Sequence, residues 1–398
     1  MCSIFLTMIS FANALQTIMS QTYRLGSEAI PLHNTTGRVL SQDVVSDMDM
    51  PPFNKSAVDG YACRMSDIAN PLQLIETIAA GCVPQKSLSA NQCSKIMTGA
   101  MLPQGADCVL MVEDTTVDEH NNIRFQKPST YHNICFQAED VKLGTQVLSA
   151  GTLIRPEHIA VLASVGCSQP FVAIKPKVGI ISTGDELVEP FHTPSPAQIR
   201  NSNSWQLMAQ ALQMNVEATY YGIAQDTEES TLQKIAKALA TNDIVLLTGG
   251  VSMGDYDVVP DMMLKAGLQI LFRSIAIQPG KPTVFATKDN KFCFGLPGNP
   301  VSSYVLFEIL VKPLLYQLMG HLHAPLIFKM PFAHNYNRRR NDRLAFVPIT
   351  FNPDGTISTI NYHGSAHIHS ITLAQGFAYI PIGTTSVQKG ELVDVRPL

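Results

Sequence analysis

From Lys177 to about residue 320 the chain alternates short apolar runs with stretches of helical spacing, and this alternation leaves few folds open. Val178-Gly179-Ile180-Ile181 and Ile244-Val245-Leu246-Leu247 are continuous apolar runs of the kind found in strands covered on both faces. Three sets recur at helical spacing: Trp205, Met208, Ala211 and Leu212; Leu232, Ile235, Ala236 and Leu239; and Val258, Val259, Met262 and Met263. A further helix is expected over 300–319, with Asn299 as N-cap and Pro300 at the first helical position. Such a pattern predicts a mostly parallel sheet covered by helices.

The flanking regions differ in texture. Residues 8–47 read as a helix followed by an extended piece through Ile30-Pro31-Leu32, and 48–138 as short β-like runs separated by turns. A strand and a helix follow between Gly144 and Val165, the helix opened by Arg155-Pro156-Glu157. After residue 328 the helical pattern disappears. The run 344–351, then Asn352-Pro353-Asp354-Gly355, then 356–360 predicts a hairpin, and 377–382 and 392–395 predict further strands of a small β domain.

Composition narrows the function. With 28 Lys and Arg against 32 Asp and Glu the net charge is −4, so the chain lacks the electrostatic footprint of a nucleic-acid binder. Any anion must therefore be held by a local site. Apolar residues make up 45% and charged ones 15%, against about 25% charged in an average globular protein, which excludes a disordered chain. No apolar run reaches the roughly 20 residues of a membrane helix. The first basic residue is Arg24, so the positive region of a signal peptide is missing. Phe11, Ala12, Leu15, Ile18 and Met19 instead suggest an amphipathic helix, and a cytoplasmic location is expected. Eight cysteines occur with no CxxC spacing, which points to free thiols in a reducing compartment.

The chemistry gathers where the strands of the predicted sheet end, the usual ligand position in open α/β sheets. Ser182-Thr183-Gly184-Asp185-Glu186 follows the first apolar run, and Thr248-Gly249-Gly250-Val251-Ser252-Met253-Gly254-Asp255-Tyr256-Asp257 follows the second. Glycines there let backbone N–H groups close on phosphate oxygens, and a following helix N-terminus adds partial positive charge. Such a terminus contributes only about 0.3–1 kcal/mol at an exposed site, so a further cation is needed. Asp185, Glu186, Asp255 and Asp257 offer hard oxygen ligands for Mg²⁺. Gln278-Pro279-Gly280-Lys281-Pro282 carries an anion-binding Lys on a stiff turn, and Gly295-Leu296-Pro297-Gly298-Asn299-Pro300-Val301-Ser302 follows a strand and opens a helix, another anion-receptive terminus. Neither a GxGxxG nor a Walker sequence occurs, so dinucleotide and P-loop readings are poor.

With these residues in view the sequence resembles the molybdopterin molybdenumtransferase family, MoeA, which includes the gephyrin E domain. Pro51-Pro52-Phe53-Asn54-Lys55-Ser56-Ala57-Val58-Asp59-Gly60-Tyr61-Ala62, Ile96-Met97-Thr98-Gly99-Ala100, Gly105-Ala106-Asp107 and Glu139-Asp140 carry the likeness in the first half. In the second half it is carried by 182–186, Gln198-Ile199-Arg200-Asn201-Ser202-Asn203, 249–254 and 295–302. The resemblance implies an α/β multidomain fold: an elongated linker and dimerisation domain from 8–47 and 139–176, a β-rich second domain over 48–138, a MogA-like doubly wound α/β domain over 177–328, and a small C-terminal β-barrel over 329–398. It also implies an elongated homodimer whose site lies between the α/β domain of one subunit and the second domain of its partner. The implied reaction inserts molybdate into the dithiolene of adenylylated molybdopterin, with Mg²⁺-dependent release of AMP, and a molybdopterin adenylyltransferase is an implied partner.

Carried over by position, Asp59, Thr98 and Asp140 come from the partner subunit, and Glu186, Asp226, Asp257 and Lys281 from the α/β domain. Asp59, Glu186, Asp226, Asp257 and Lys281 are the expected catalytic set, with Glu186 and Asp257 as metal ligands. Thr98, Asp140, Thr183, Gly184, Asp185, Gly249, Gly250, Ser252, Pro297, Gly298 and Asn299 are expected to bind the substrate. The chain departs from the family pattern at Asn54, where an Asp is common; at Cys135, where an Arg is common; at Ala138, where a Gly is usual; and at Ser274, where a basic residue is common beside Arg273. Two other functions stay open on the residues alone: a non-catalytic molybdopterin-binding paralogue, and a molybdopterin adenylyltransferase. His363, His367 and His369 are read as structural strand histidines, and Asn337-Arg338-Arg339-Arg340 with Arg343 as a solvated basic face.

Overall fold

The computed structural model describes residues 8–251, 258–360 and 364–398. Helix α1 (Phe11–Ser20) begins at Ser10, whose hydroxyl accepts from the Asn13 amide at 3.1 Å, and it buries Ala14 and Ile18. A six-stranded sheet follows, in which β1 (Gly60–Cys63) lies between β3 (Gln92–Ile96) and β4 (Cys108–Met111), with β2 (Leu72–Ile78) beyond β3. Helix α2 (Pro156–Ser164) starts at Pro156 as expected. Nearby, Ser27–Ala29 pairs antiparallel with Phe171–Ala173, and Val44–Val45 with Gln146–Leu148, so chain before and after this six-stranded sheet is stitched together.

The α/β sheet runs β6 (Ala218–Ala224), β5 (Val178–Thr183), β7 (Ile244–Thr248), β10 (Lys291–Leu296), β9 (Val284–Lys288), β8 (Gln269–Phe272). The first four strands are parallel, β9 runs against β10, and β8 runs against β9. Side-chain alternation puts Ile180, Leu246 and Phe294 on one face and Ile181, Val245, Leu247 and Cys293 on the other. Helix α3 (Asn203–Gln213) and the helix Pro300–Leu318 (α6) cover the first face. Helices α4 (Glu228–Thr241) and α5 (Val259–Lys265) cover the second. Complete burial of each such aliphatic or aromatic side chain contributes about 1.5–3 kcal/mol, which explains why the apolar runs are uninterrupted.

Among the described residues α6 is the one helix long and apolar enough to cross a membrane, yet 72% of it is buried in the protein. It is a core helix. It carries a buried charge node: Glu308 pairs with Lys312 at 2.9 Å, accepts from Gln210 Nε2 at 3.0 Å, and its carbonyl accepts from Arg396 Nη2 at 2.9 Å. Arg396 lies on β15 (Leu392–Pro397), so this node docks the C-terminal sheet on the α/β sheet.

In the C-terminal sheet β11 (Phe328–Pro331) pairs with β15, β12 (Leu344–Phe351) with β13 (Ile357–Thr359) and β14 (Gly376–Ile380), and β14 with β15, around Phe332, Ile349 and Ile380. The expected hairpin forms, with the Asn352 amide donating to Thr356 O at 2.9 Å across a turn whose Gly355 has φ +81°. Ile277–Gln278 adds a parallel strand to β12, which anchors the Lys281 turn between the two sheets.

Two local expectations change. The buried side of α3 is Asn203, Ser204, Leu207, Gln210 and Ala211, while Trp205 and Leu212 are 47% and 74% exposed. Buried hydrogen bonds from Asn203, Ser204 and Gln210, not apolar spacing, fix that helix's rotation. His367 and His369 are not in a strand: His367 caps, and His369 sits in, a one-turn helix at Ile368–Ile371. His363 lies outside the described residues, and among the described residues no group of three metal-ligating side chains occurs.

Candidate functional site

The carboxyl ends of β5, β6, β7 and β10 open on one cleft of about 630 Å³. The chain leaves β5 toward α3 on one face and β7 toward α5 on the other, so the gap between them is the point where the winding reverses. Three glycine-containing loops form the walls. Thr183, Gly184 and Glu186 come from the end of β5, Gly249 and Gly250 from β7, and Pro297, Gly298 and Asn299 from β10; Asp226, just past β6, completes the rim.

Hydrogen bonds hold the loops at fixed separation. The Asn203 amide donates to Thr248 Oγ1 at 2.7 Å and to Gly298 O at 2.9 Å, tying the β7 and β10 loops through one side chain. The Gly249 amide is used on Leu296 O at 3.0 Å. Those of Gly250, Gly298 and Asn299 donate to nothing among the described residues, so they are available to an anion. Gly249 itself has φ +101°, and a Cβ there would lie 2.3 Å from Thr183 O. The Thr183 hydroxyl is buried without a partner against this turn. Beneath the cleft, Ser182 Oγ donates to Asn201 Oδ1 at 2.9 Å and lies 2.6 Å from Ser204 Oγ. Asn201 Nδ2 donates to Tyr220 OH at 2.7 Å, and that hydroxyl donates to Glu189 at 2.7 Å. Burial, then the Glu189 carboxylate, pushes the Tyr220 phenol up, so it stays a neutral donor.

The acidic rim is also ordered. The Asp185 amide donates to Asp226 Oδ2 at 3.3 Å and the Asp226 amide to Asp185 Oδ1 at 3.0 Å, a reciprocal pair that leaves Asp185 outside the cleft wall. Glu186 and Asp226 both face the cleft. Two carboxylates beside unused amides form a donor set Mg²⁺ accepts, because it keeps waters and phosphate oxygens in its shell. The residues present therefore fit that ion. Asp257 and Ser252 lie outside the described residues.

The helix terminus after the β10 loop offers less than its sequence suggests. Pro300 has no N–H, the Val301 amide is bonded to Ser365 O at 3.1 Å, and the Ser303 amide to Asn299 O at 3.1 Å. Lys281 is exposed on the turn whose next residue, Pro282, lines the cleft. Arg200, Asn201, Ser202 and Asn203 also line it, as do Ala366 and Ile368 from the C-terminal part. The 198–203 motif was visible as a likeness, but only the fold shows that Asn203 links two loops. No sequence signal marks Ala366 or Ile368.

Asp59, Thr98 and Asp140 do not line this cleft within one chain. They belong to a second hydrogen-bonded unit in which segments 51–59, 97–100 and 133–140 meet. The Ser56 amide donates to Ala100 O, the Gly99 amide to Ser56 O, and the Ala138 amide to Pro51 O. Thr98 donates its amide at 2.6 Å and hydroxyl at 2.8 Å to Asp59 Oδ1, and these bonds, the amide first, hold the Asp59 carboxyl below the usual range. Asn54 Oδ1 accepts from the Gln137 amide at 2.7 Å. Ala138 has φ +60°, a left-handed conformation that explains why a glycine suits that position. Cys135 stands opposite Lys55 in an antiparallel pair, so a cation remains on the face where the Arg is replaced.

The basic run is only partly solvated. The Arg338 guanidinium donates to the carbonyls of Arg340, Ile380 and Arg343, holding the loop together, while Arg339 and Arg340 are exposed beside a cavity of about 540 Å³ next to Gln278 and Pro279.

These features define a multidomain α/β protein whose doubly wound sheet carries an anion-receptive, acid-rimmed cleft at its winding reversal. Three family models match the chain: "MoeA N-terminal region (domain I and II)" over residues 9–166, "Probable molybdopterin binding domain" over 179–317, and "MoeA C-terminal region (domain IV)" over 333–398. The molybdopterin molybdenumtransferase of Staphylococcus epidermidis is 36% identical over 98% of this chain and 95% of its own length. That of Staphylococcus aureus is 32% identical over 97% and 95%. A crystal structure of a molybdopterin biosynthesis MoeA protein from Pyrococcus horikoshii superposes with a TM-score of 0.86 at 30% identity, covering 98% of this chain and all of that one. The chain belongs to the MoeA family.

Proposed function

We propose that this protein is a molybdopterin molybdenumtransferase of molybdenum cofactor biosynthesis: it inserts molybdate into the dithiolene of adenylylated molybdopterin and releases AMP. The observation that carries this reading is the juxtaposition, in one cleft, of unused amides at Gly250, Gly298 and Asn299 with the Glu186 and Asp226 carboxylates. A phosphorylated substrate needs both: donors for its oxygens and a carboxylate site for the counter-ion.

In this mechanism the Gly250 and Gly298 amides hold phosphate oxygens. Lys281 adds a charge from the rim, and Asn203 keeps the two amide loops at working distance. Glu186, which lines the cleft with Asp226, and Asp257 would hold Mg²⁺; when bound, the ion supplies Lewis-acid stabilisation of charge on the leaving phosphate. Asp59, Thr98 and Asp140 would complete the site from the partner subunit of a homodimer. The division into 8–47 with 139–176, 48–138, 177–328 and 329–398 is part of this reading, as are a cytoplasmic location and delivery of substrate by a molybdopterin adenylyltransferase. Lys55 opposite Cys135 favours this activity over a non-catalytic paralogue.

The test is AMP release from adenylylated molybdopterin by the purified protein with Mg²⁺ and molybdate. Release that depends on molybdate is expected, and no release at any molybdate concentration removes the proposal. If Cys135→Arg creates activity where the parent has none, the paralogue reading stands. Consumption of ATP with plain molybdopterin assigns adenylylation instead.

A further inference from the structure

Among the described residues the Lys281 ammonium meets no carboxylate and no hydrogen-bond acceptor. A lysine is a compact charge on a flexible stem, so only the turn that carries it decides where this one can reach. That turn is held from behind. The Lys281 carbonyl accepts from two amides, those of Ile275 at 3.0 Å and Thr283 at 2.9 Å. Thr283 is wholly buried, and its hydroxyl donates to Gly280 O at 2.6 Å. One threonine therefore occupies two successive carbonyls of the turn, through its amide and its side chain.

The Ile275 side of the turn is anchored in a distant part of the chain. The Ile9 amide donates to Ser274 O at 3.1 Å and the Ala276 amide to Ile9 O at 2.7 Å, so the main chain of Ile9 brackets the buried Ile275. The Ala276 carbonyl in turn accepts from the Leu344 amide at 2.9 Å. Phe11, two residues after Ile9, meets Phe346 of β12 edge-on at 5.4 Å. Three segments, around residues 9, 275 and 344, thus converge behind a turn whose Pro282 forms part of the cleft wall.

We infer that Thr283, backed by the main chain of Ile9, is a positioning residue that aims Lys281 at an oxyanion in the cleft. The inference rests on the transferase reading above, in which Lys281 adds a charge from the rim. Without the Thr283 hydroxyl the buried Gly280 carbonyl is stranded, and the turn must shift to find another donor. A group displaced by about 1 Å loses most of its effect on a bound or reacting ligand. Molybdate and the phosphate of AMP both present oxyanions to a lysine, and the experiment tells them apart.

The full-length protein is titrated by calorimetry with molybdate and, separately, with AMP. Lys281→Met identifies the reporter, the anion whose affinity it lowers. Thr283→Val keeps the shape and removes the hydroxyl; it is expected to weaken the reporter about tenfold. Thr283→Ser, which returns the hydroxyl, is expected to rescue binding. In the Lys281→Met background Thr283→Val is expected to have no further effect, because no charge is left to aim. Equal losses in both backgrounds, the behaviour of a merely structural threonine, overturn the inference, as does parental affinity in Thr283→Val. Ile9→Pro removes the amide that brackets Ile275 and is expected to reproduce the loss, again only when Lys281 is present. It decides the matter where Thr283→Val fails to fold, and parental affinity in it overturns the inference as well. If Lys281→Met lowers neither affinity the inference also falls, whereas the transferase reading falls only if the parent shows no molybdate-dependent AMP release.

Discussion

Gly249→Ala is the substitution whose consequences the structure fixes most closely. The new Cβ would lie 2.3 Å from the Thr183 carbonyl oxygen and 2.9 Å from its hydroxyl, at φ +101°. Carbon and carbonyl oxygen rest at about 3.3–3.6 Å, so either β5 or the glycine turn must move by about 1 Å. Adopting a positive φ costs about 1–2 kcal/mol and forcing an extra methyl into a packed wall about 1–3 kcal/mol, for a local destabilisation of about 2–5 kcal/mol. A misplacement of about 1 Å in a positioning group costs about 100-fold in rate, so AMP release should fall by roughly that factor. Gly355→Ala is the control: its φ is +81° and nothing lies within 4 Å of the added Cβ, so only backbone strain applies. Native-state hydrogen exchange reads the two costs separately, in β5 and β7 and in the C-terminal hairpin. The reasoning is refuted if Gly249→Ala costs no more than Gly355→Ala and AMP release is unchanged.

Asn203→Ala should slow AMP release tenfold or more and loosen the β7 and β10 loops. It strands the Gly298 carbonyl, at about 1–3 kcal/mol for a buried group left unsatisfied, and leaves the Thr248 hydroxyl only its 3.4 Å bond to Pro297 O; unaltered kinetics would contradict the tie. Ala138→Gly should stabilise the second unit, because relief of about 1–2 kcal/mol of left-handed strain outweighs about 0.4–1 kcal/mol of added unfolded-state entropy, and a higher urea midpoint checks it. His323 is held down at about 4 from 6.5, by burial first and then by Arg396, Lys312 and His321, with its Nε2 buried and unpaired. A depressed folded pKa means the unfolded chain takes the proton first, so this contribution is complete above about pH 6.5 and lost as pH falls toward 4. With the ring half exposed the loss is about 1–2 kcal/mol. His323→Gln should flatten the fall in urea midpoint between pH 7 and 4.5.

The architecture was legible wherever one physical demand dominates a segment. Strands buried on both faces must be apolar throughout, so β5 and β7 stood out, and the 352–355 turn residues announced the C-terminal hairpin. The glycines and acids after the strands were legible as a ligand site because such sheets place ligands there. What stayed hidden depends on long-range partners. The rotation of α3 is set by hydrogen bonds from Asn203 and Gln210 to residues almost a hundred positions away. A count of apolar residues therefore put Trp205 and Leu212 on the wrong side. The short helix at His367 and His369 lacks the length that periodicity needs, and the capped, proline-started α6 looked open to anions until Ser365 was seen to occupy its first amide.

A crystal soaked with AMP and molybdate tests the central claim most directly. The phosphate of AMP is predicted within about 3 Å of the Gly250 and Gly298 amides, between Glu186 and the Lys281 turn. Phosphate bound away from the glycine loops, with the cleft at the ends of β5, β7 and β10 left to water, would contradict it.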